Sequence, residues 1–186
     1  MYTTSASLLE RLGQPDPEPA WARFVELYMP LLLYWARQAG LQPQDAADLV
    51  QEVFVVLVQK LPAFSYDQRR NFRGWLRTIA LNKWRDFRRR GRVRAASGHG
   101  LPEVADEHAL EAFWEAEHRQ RLVARALEVM QAEFEPTTWK ACWEFAVESR
   151  PAAAVAGELG ISENAVYIAK CRVLRRLRQE LDGLLE

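Results

Sequence analysis

Apolar residues recur along the chain at the three-to-four-residue spacing of amphipathic helices, and the alternation that marks strands is nearly absent. A short helix is predicted over Ser5–Leu12, ended by Gly13 and the Pro15, Pro17, Pro19 cluster. A second covers Ala20–Ala39 and closes at Gly40, with Pro30 kinking or splitting it. A third spans Pro43–Leu61 and stops before Pro62, because a residue preceding proline is pushed out of the α region. A fourth runs Asn71–Arg90 and ends at Gly91. Residues 91–110 are small, charged and punctuated by Gly and Pro, which reads as a linker. Helices resume over Glu111–Glu133, Pro136–Ser149, Pro151–Leu159 and Glu163–Leu181.

The last two helices satisfy every local demand of a helix-turn-helix. Ala156 is the small residue where the helices touch, and Gly160 supplies the positive φ of the turn. Val155, Leu159, Ile161 and Val166 form the packing set, and Ser162 caps the second helix. The expected fold is therefore all-α, with two small helical domains joined by a linker and the C-terminal one a helix-turn-helix. The expected boundaries are an N-terminal extension at 1–17, a first domain at 18–91, a linker at 92–112 and a second domain at 113–186. Domains of some 70 residues bury only ~60% of their unfolded surface, so each is expected to be marginal alone.

Three helix faces carry more than a core. On the third helix, Ala46, Leu49, Val50, Val53, Phe54, Leu57, Val58 and Leu61 fill the core half-circle. The opposite side holds Asp48, Gln51, Glu52, Val55 and Gln59, with Val56 at its edge. Acids and amides interspersed with valines suit docking against another protein's helices, although singly exposed valines are also common. On the fourth helix, Phe72, Trp75, Leu76, Ile79, Ala80 and Phe87 share one arc, while Arg70, Arg73, Arg77, Arg85, Arg88 and Arg92 share another. Cations beside aromatics suit single-stranded nucleic acid: the cations follow the backbone and the rings accept unstacked bases. Trp75 belongs with the core set; Trp84, near the basic edge, is the stacking candidate. Phe64, Ser65 and Tyr66 either wall a base pocket or plug the end of the bundle.

The outer arc of the last helix carries Asn164, Ile168, Cys171, Arg172 and Arg175, with Tyr167 at its margin. Arginine matches guanine O6/N7 and asparagine matches adenine N6/N7, each good pair discriminating by ~1–3 kcal/mol. Lys170, Arg176 and Arg178 are better placed for phosphates.

Charge sharpens this picture. The totals balance, 25 Lys+Arg against 25 Asp+Glu. Residues 1–62 nonetheless carry four bases and seven acids, residues 63–95 eleven bases and two acids, and residues 101–118 six acids with no Lys or Arg. Neutrality is a cancellation of blocks. Two separate basic segments read either as phosphate contacts of the kind that dominate nucleic-acid affinity or as solvated helix faces.

The remaining chemistry excludes more than it suggests. Cys142 and Cys171 cannot build a disulfide framework, which argues for a reducing compartment. Cys142 is expected in packing and Cys171 exposed or half-exposed. No run of ~18 apolar residues exists to span a membrane, and Met1–Pro19 lacks the basic start and apolar core of a signal peptide. A cytoplasmic location follows. His99, His108 and His118 lack ligand spacing and are expected at the surface. No catalytic constellation, metal site or cofactor is implied, so an enzyme is not expected.

The strings DAADLVQEVFVVL (45–57) and FRGWLRTIALNKWRDFRRR (72–90), followed by the helix-turn-helix, resemble the extracytoplasmic-function (ECF) group of bacterial sigma factors in the sigma-70 family. The resemblance extends over about residues 18–182. It implies a promoter-recognition subunit of RNA polymerase. Asp48, Gln51, Glu52 and Val55 would then grip the β′ clamp helices. Arg70, Arg73, Arg77, Asn82, Lys83, Trp84, Arg85 and Arg88 would open and contact the −10 element. Asn164, Tyr167, Ile168, Cys171, Arg172 and Arg175 would read the −35 element, on a domain that also packs on the β flap. The acidic segment 101–118 falls where the family threads a connector toward the RNA exit channel. Many relatives have Lys-Ser-Arg after the valine of the reading helix, whereas here Tyr167, Ile168 and Ala169 follow Val166. Ile168 against a thymine methyl is a plausible substitute. An anti-sigma protein is a further partner common in the family.

Two other classes compete. A free-standing helix-turn-helix regulator, with a helical N-terminal sensor or dimerisation domain, would bind duplex DNA tightly without polymerase. An interaction protein would dock its basic helix on an acidic partner, and a nucleic-acid enzyme is a third, weaker reading. The strings at 45–57 and 72–90 discriminate, since a sensor domain has no reason to carry them in that order.

Overall fold

A computed structural model describes residues 7–14, 18–61, 72–96 and 107–185. Among these residues the protein is helical throughout, with no strand: α1 (Leu8–Leu12), α2 (Glu18–Gln38), α3 (Pro43–Lys60), α4 (Phe72–Ala96), α5 (Glu107–Met130), a 3₁₀ turn (Gln131–Glu133), α6 (Pro136–Ala146), α7 (Ala152–Leu159) and α8 (Glu163–Leu181). The expected all-α class is the observed one. Arg70 and the segment Phe64–Tyr66 lie outside the described residues.

Helix ends differ from expectation where local signals were overridden. α2 runs unbroken through Pro30. α4 continues past Gly91 to Ala96, and α5 begins at Glu107, four residues early, so helix extends into both ends of the expected linker. Gly91 ends nothing because the terminating left-handed conformation is not adopted there; Gly160 does adopt it, with φ 64°.

Two apolar clusters hold the helices. The larger draws Phe24, Leu27, Tyr28 and Trp35 from α2, Leu49, Val53 and Leu57 from α3, and Phe72, Leu76 and Trp84 from α4. It also takes Leu110, Trp114, Leu122 and Ala126 from α5, and Leu181 and Leu184 from the end of the chain. The smaller cluster is the helix-turn-helix core: Ala141, Ala152, Val155, Ala156, Val166 and Ala169, with Phe145, Leu159 and Ile161 packed against it.

α5 enters the first core through a row of every fourth residue. Leu110, Trp114, His118, Leu122, Ala126 and Met130 are all buried. An i, i+4 row drifts by about 40° per step around a 3.6-residue helix, so the stripe spirals and meets different neighbours along its length. Its first half faces α2, where Trp114 meets Trp35 edge-on at 5.9 Å and His118 lies 6.1 Å from Tyr28. α5 also packs against α8 farther along. His118 is thus buried, not at the surface as expected. Burial, with the nearby Arg73 charge, pushes its pKa down to about 4.

Candidate nucleic-acid and protein interfaces

The turn before the last helix is built as its residues require. Gly160 and Ile161 N–H groups both donate to the Ala156 carbonyl, and the Ser162 hydroxyl accepts from the Ala165 N–H at 3.2 Å. The corner between α6 and α7 is riveted by charge, with Arg150 donating to both Glu144 and Glu158 and Lys140 reaching Glu158 at 3.0 Å. These ties orient α8 so that Asn164, Tyr167, Ile168, Cys171, Arg172 and Arg175 are all exposed. Tyr167 stands edge-on to Phe145 at 5.3 Å, which fixes its ring beside Ile168. Among the described residues, no acid pairs with Arg172 or Arg175. This outer face of α8 is open.

On α3, Asp48, Gln51, Glu52 and Val55 come together with Lys83 of α4 around a shallow depression of about 430 Å³. Val55 is 57% exposed and Asp48 is exposed as well. Val58, placed on the core face by its angle, is instead 55% exposed, because α4 and α2 cover only the narrower Leu49–Val53–Leu57 stripe. Glu52 accepts from Lys83 at 3.3 Å and from Arg90 at 2.8 Å. Desolvation raises its pKa, but those two hydrogen bonds and their charges outweigh it and hold the carboxyl below its ordinary value.

α4 behaves differently from α8. Every cation of α4 from Arg73 to Arg90 has a partner. Arg73 and Arg77 both donate to Glu115 of α5, one to each carboxylate oxygen. Arg85 donates to Glu107 of α5 and, at 3.0 Å, to Asn82. Lys83 and Arg90 hold Glu52, Arg89 holds Asp86 at 3.1 Å, and Arg88 lies over the Trp84 ring at 4.8 Å. The Glu107 hydrogen bond, aided by Glu111, raises the Arg85 pKa further. Trp84 itself is fully buried, so it is no exposed stacking platform: its ring belongs to the first core, with Arg88 over its face. Trp75 packs against the core as expected, partly buried.

The sequence pattern did not single out Glu107, in the expected linker, or Glu115, in the helix expected from Glu111. Their eight-residue spacing, with Glu111 between, places all three on one helix face and was the available signal. It also missed an ionic knot away from these faces. Glu180, fully buried, accepts from Arg23 and Arg176 at 2.5 Å each, and Arg23 and Arg176 both reach Glu133. Near it, an open groove of about 1180 Å³ runs between α5 and α6, floored by Leu127, Phe134, Trp139 and Trp143 and rimmed by acids including Glu128 and Glu148.

The structure thus sets an acid-and-valine depression beside a basic helix, followed by an open helix-turn-helix. Residues 24–94, from within α2 to near the end of α4, match the Sigma-70 region 2 family. The chain is 36% identical over 88 residues to RNA polymerase sigma factor NccH of Alcaligenes xylosoxydans xylosoxydans, covering 47% of this chain and 46% of that one. It is 40% identical over 75 residues to RNA polymerase sigma factor CnrH of Cupriavidus metallidurans, covering 40% and 38%. The chain thus matches less than half the length of either relative. A solved structure of CnrH in complex with the cytosolic domain of CnrY aligns over 91% of this chain and 92% of that one, with 23% identity and a TM-score of 0.37. Residues 24–94 thus carry a Sigma-70 region 2 segment, and the chain is similar in part to RNA polymerase sigma factors. No helix among the described residues is long and apolar enough to cross a membrane.

Proposed function

We propose that this protein is a promoter-recognition sigma subunit of bacterial RNA polymerase, which binds the core enzyme, opens the −10 element and reads the −35 element. One observation carries the reading. Within the segment that matches region 2, four positions singled out for protein docking line one depression, and it adjoins the basic face of α4.

In this reading Asp48, Gln51, Glu52 and Val55 meet the β′ clamp helices, with Val55 supplying apolar contact and the acids pairing with Lys or Arg. Arg70, Arg73, Arg77, Asn82, Lys83, Arg85 and Arg88 serve the −10 element; buried Trp84 supports Arg88 from beneath. Asn164, Tyr167, Ile168, Cys171, Arg172 and Arg175 read the −35 element from α8. The aromatic floor and acidic rim of the α5–α6 groove suit a helix with an apolar face and basic flanks, the surface we assign to the β flap. Functional boundaries at 18–91 and 113–186, with a connector at 92–112 and an extension at 1–17, complete the assignment. The protein provides recognition and no catalysis, and an anti-sigma protein is a further partner.

Run-off transcription with purified core polymerase on genomic DNA tests this directly. Discrete, mapped start sites sharing two upstream elements are expected. Absence of any promoter-specific transcript, with core active beside another sigma factor, would overturn the proposal.

A further inference from the structure

The first half of α8 exposes more apolar surface than a solvated helix needs. Tyr167 is 47% and Ile168 43% exposed, and Cys171 is exposed beside them. On a helix the three project within one arc of about 100°, with Cys171 in the middle, Lys170 beyond Tyr167 and Arg172 beyond Ile168. Phe145 of α6 stands on the Lys170 side of this arc. Its ring meets Tyr167 edge-on at 5.3 Å, and the Lys170 ammonium lies over it, 5.2 Å from the ring centre. One side chain outside α8 thus holds two residues spaced i, i+3 on it. We infer that Phe145 is a positioning residue for promoter recognition: by fixing Tyr167 and drawing Lys170 aside it keeps the Tyr167–Cys171–Ile168 edge apolar, and that edge selects a thymine of the −35 element through its methyl group. This rests on the assignment of α8 to the −35 element.

Such an edge favours thymine. In the major groove thymine presents its C5-methyl group, whereas cytosine presents an N4 amino donor. An amino group pressed against Ile168 and Tyr167 would lose its water without gaining an acceptor. A lysine free to swing could offer its ammonium to guanine O6 or N7 and blur the choice; the cation–π contact holds Lys170 on the far side of Tyr167. Tyrosine has few rotamers to lose, and packing on Phe145 restricts them before DNA is met, so less ordering opposes the contact. Phe145 is itself secured. It packs, partly buried, against the cluster of Ala141, Val155 and Val166, and its helix is tied to α7 by the pairs of Lys140 and Arg150 with Glu158.

The test uses holoenzyme and a promoter fragment mapped by the run-off transcription above. Each thymine of its −35 element, on either strand, is replaced singly by deoxyuridine, which deletes only the methyl group. Competition binding is expected to show a loss of about fourfold at one thymine, the value of one buried methyl group. Ile168→Ala should erase that thymine–deoxyuridine difference. Phe145→Leu keeps apolar bulk but removes the ring, and should shrink the difference toward unity. Tyr167→Ala, exposed and clear of the core, should do the same and serves where Phe145→Leu folds poorly. Phe145→Tyr keeps the ring and should keep the parent's difference. The absence of any deoxyuridine effect in the parent, or an element without an A·T pair, overturns the methyl readout. The parent's ratio in Phe145→Leu or Tyr167→Ala overturns the positioning role, whatever the overall affinity, and so does a loss in Phe145→Tyr equal to that in Phe145→Leu. Scrambling the whole element separates the two levels. Undiminished binding to the scrambled fragment refutes the −35 assignment itself, whereas binding lost on scrambling with no deoxyuridine effect refutes only this inference.

Discussion

Arg23 and Glu180, 157 positions apart in sequence, meet at 2.5 Å where α2 touches the end of α8. Glu180 has no solvent exposure, and desolvation alone would raise its pKa; Arg23 and Arg176 reverse that and keep it ionised. The pair ties the two ends of the chain into one folding unit. Removing one partner of a buried ion pair leaves an uncompensated charge, which costs about 3–5 kcal/mol. Glu180→Gln should fall at the lower end, about 3 kcal/mol, because Arg23 and Arg176 keep some contact with water and Glu133 remains. A urea midpoint unchanged by this substitution would show the knot to be unimportant.

Acid should weaken the fold before the carboxylates titrate. His118 resists protonation until about pH 4 in the folded state, against an ordinary value of 6.5. Between those values the unfolded chain takes up a proton that the folded chain refuses, so stability present above pH 6.5 is lost as pH falls toward 4. The full loss is about 3 kcal/mol. The lowered pKa of Glu180 acts in the same direction further down. His118→Phe keeps a ring against Trp114, stacked at 5.1 Å in the native protein, and should flatten the urea midpoint between neutral pH and pH 5. Parallel curves for variant and parent would show that His118 is not the responsible group.

The docking face calls for a substitution that does not disturb α4. Glu52 holds Lys83 and Arg90, so Glu52→Arg alters two surfaces at once. Asp48 is exposed and carries no ion pair among the described residues. Asp48→Arg with Val55→Asp should leave the thermal midpoint within a few degrees while abolishing co-purification with the β′ subunit. Retained β′ binding would exclude this face.

For the helix-turn-helix, the turn and the reading face should separate. A Cβ at Gly160 would meet nothing within 4 Å, so Gly160→Ala suffers only the strain of φ 64° and should cost about 1 kcal/mol of stability. Asparagine there should cost less. Arg172→Ala should leave stability unchanged and cost ~1–3 kcal/mol of promoter binding at one −35 base pair. An equal loss on every sequence would make Arg172 a phosphate contact.

What could be read in advance follows the range of the interactions. The helix-turn-helix was legible because its demands are local: a positive-φ glycine, a serine cap and five apolar positions inside twelve residues. That Asp48, Gln51, Glu52 and Val55 lie together on α3 was legible because they share an angle. Val58 shared the core angle yet lies exposed, since an angle cannot say how wide a neighbouring helix is. Trp84 was misplaced for the same reason, its position at the basic edge outweighed by tertiary burial. His118 looked like a surface residue among charges, although it stands midway in the row Leu110, Trp114, Leu122, Ala126. That row was visible, but not that it would dock on α2. The pairing of Glu107 and Glu115 with α4 depends on that same docking and was out of reach of local pattern.

The placement of Leu184 bears on how the protein is made. Leu184 is fully buried in the larger cluster, and its carbonyl accepts from the Tyr28 hydroxyl at 3.5 Å. α2 therefore lacks part of its core while the residues up to Leu184 are being synthesised, a wait of some 10–30 s at ~5–20 residues per second. During that interval α2 presents Tyr28, Trp35 and Arg23 to whatever is nearby, including chaperones and other nascent chains. Newly made molecules become competent only after residue 184 has emerged, which sets a lower limit on how quickly a cell could respond through fresh synthesis of this protein.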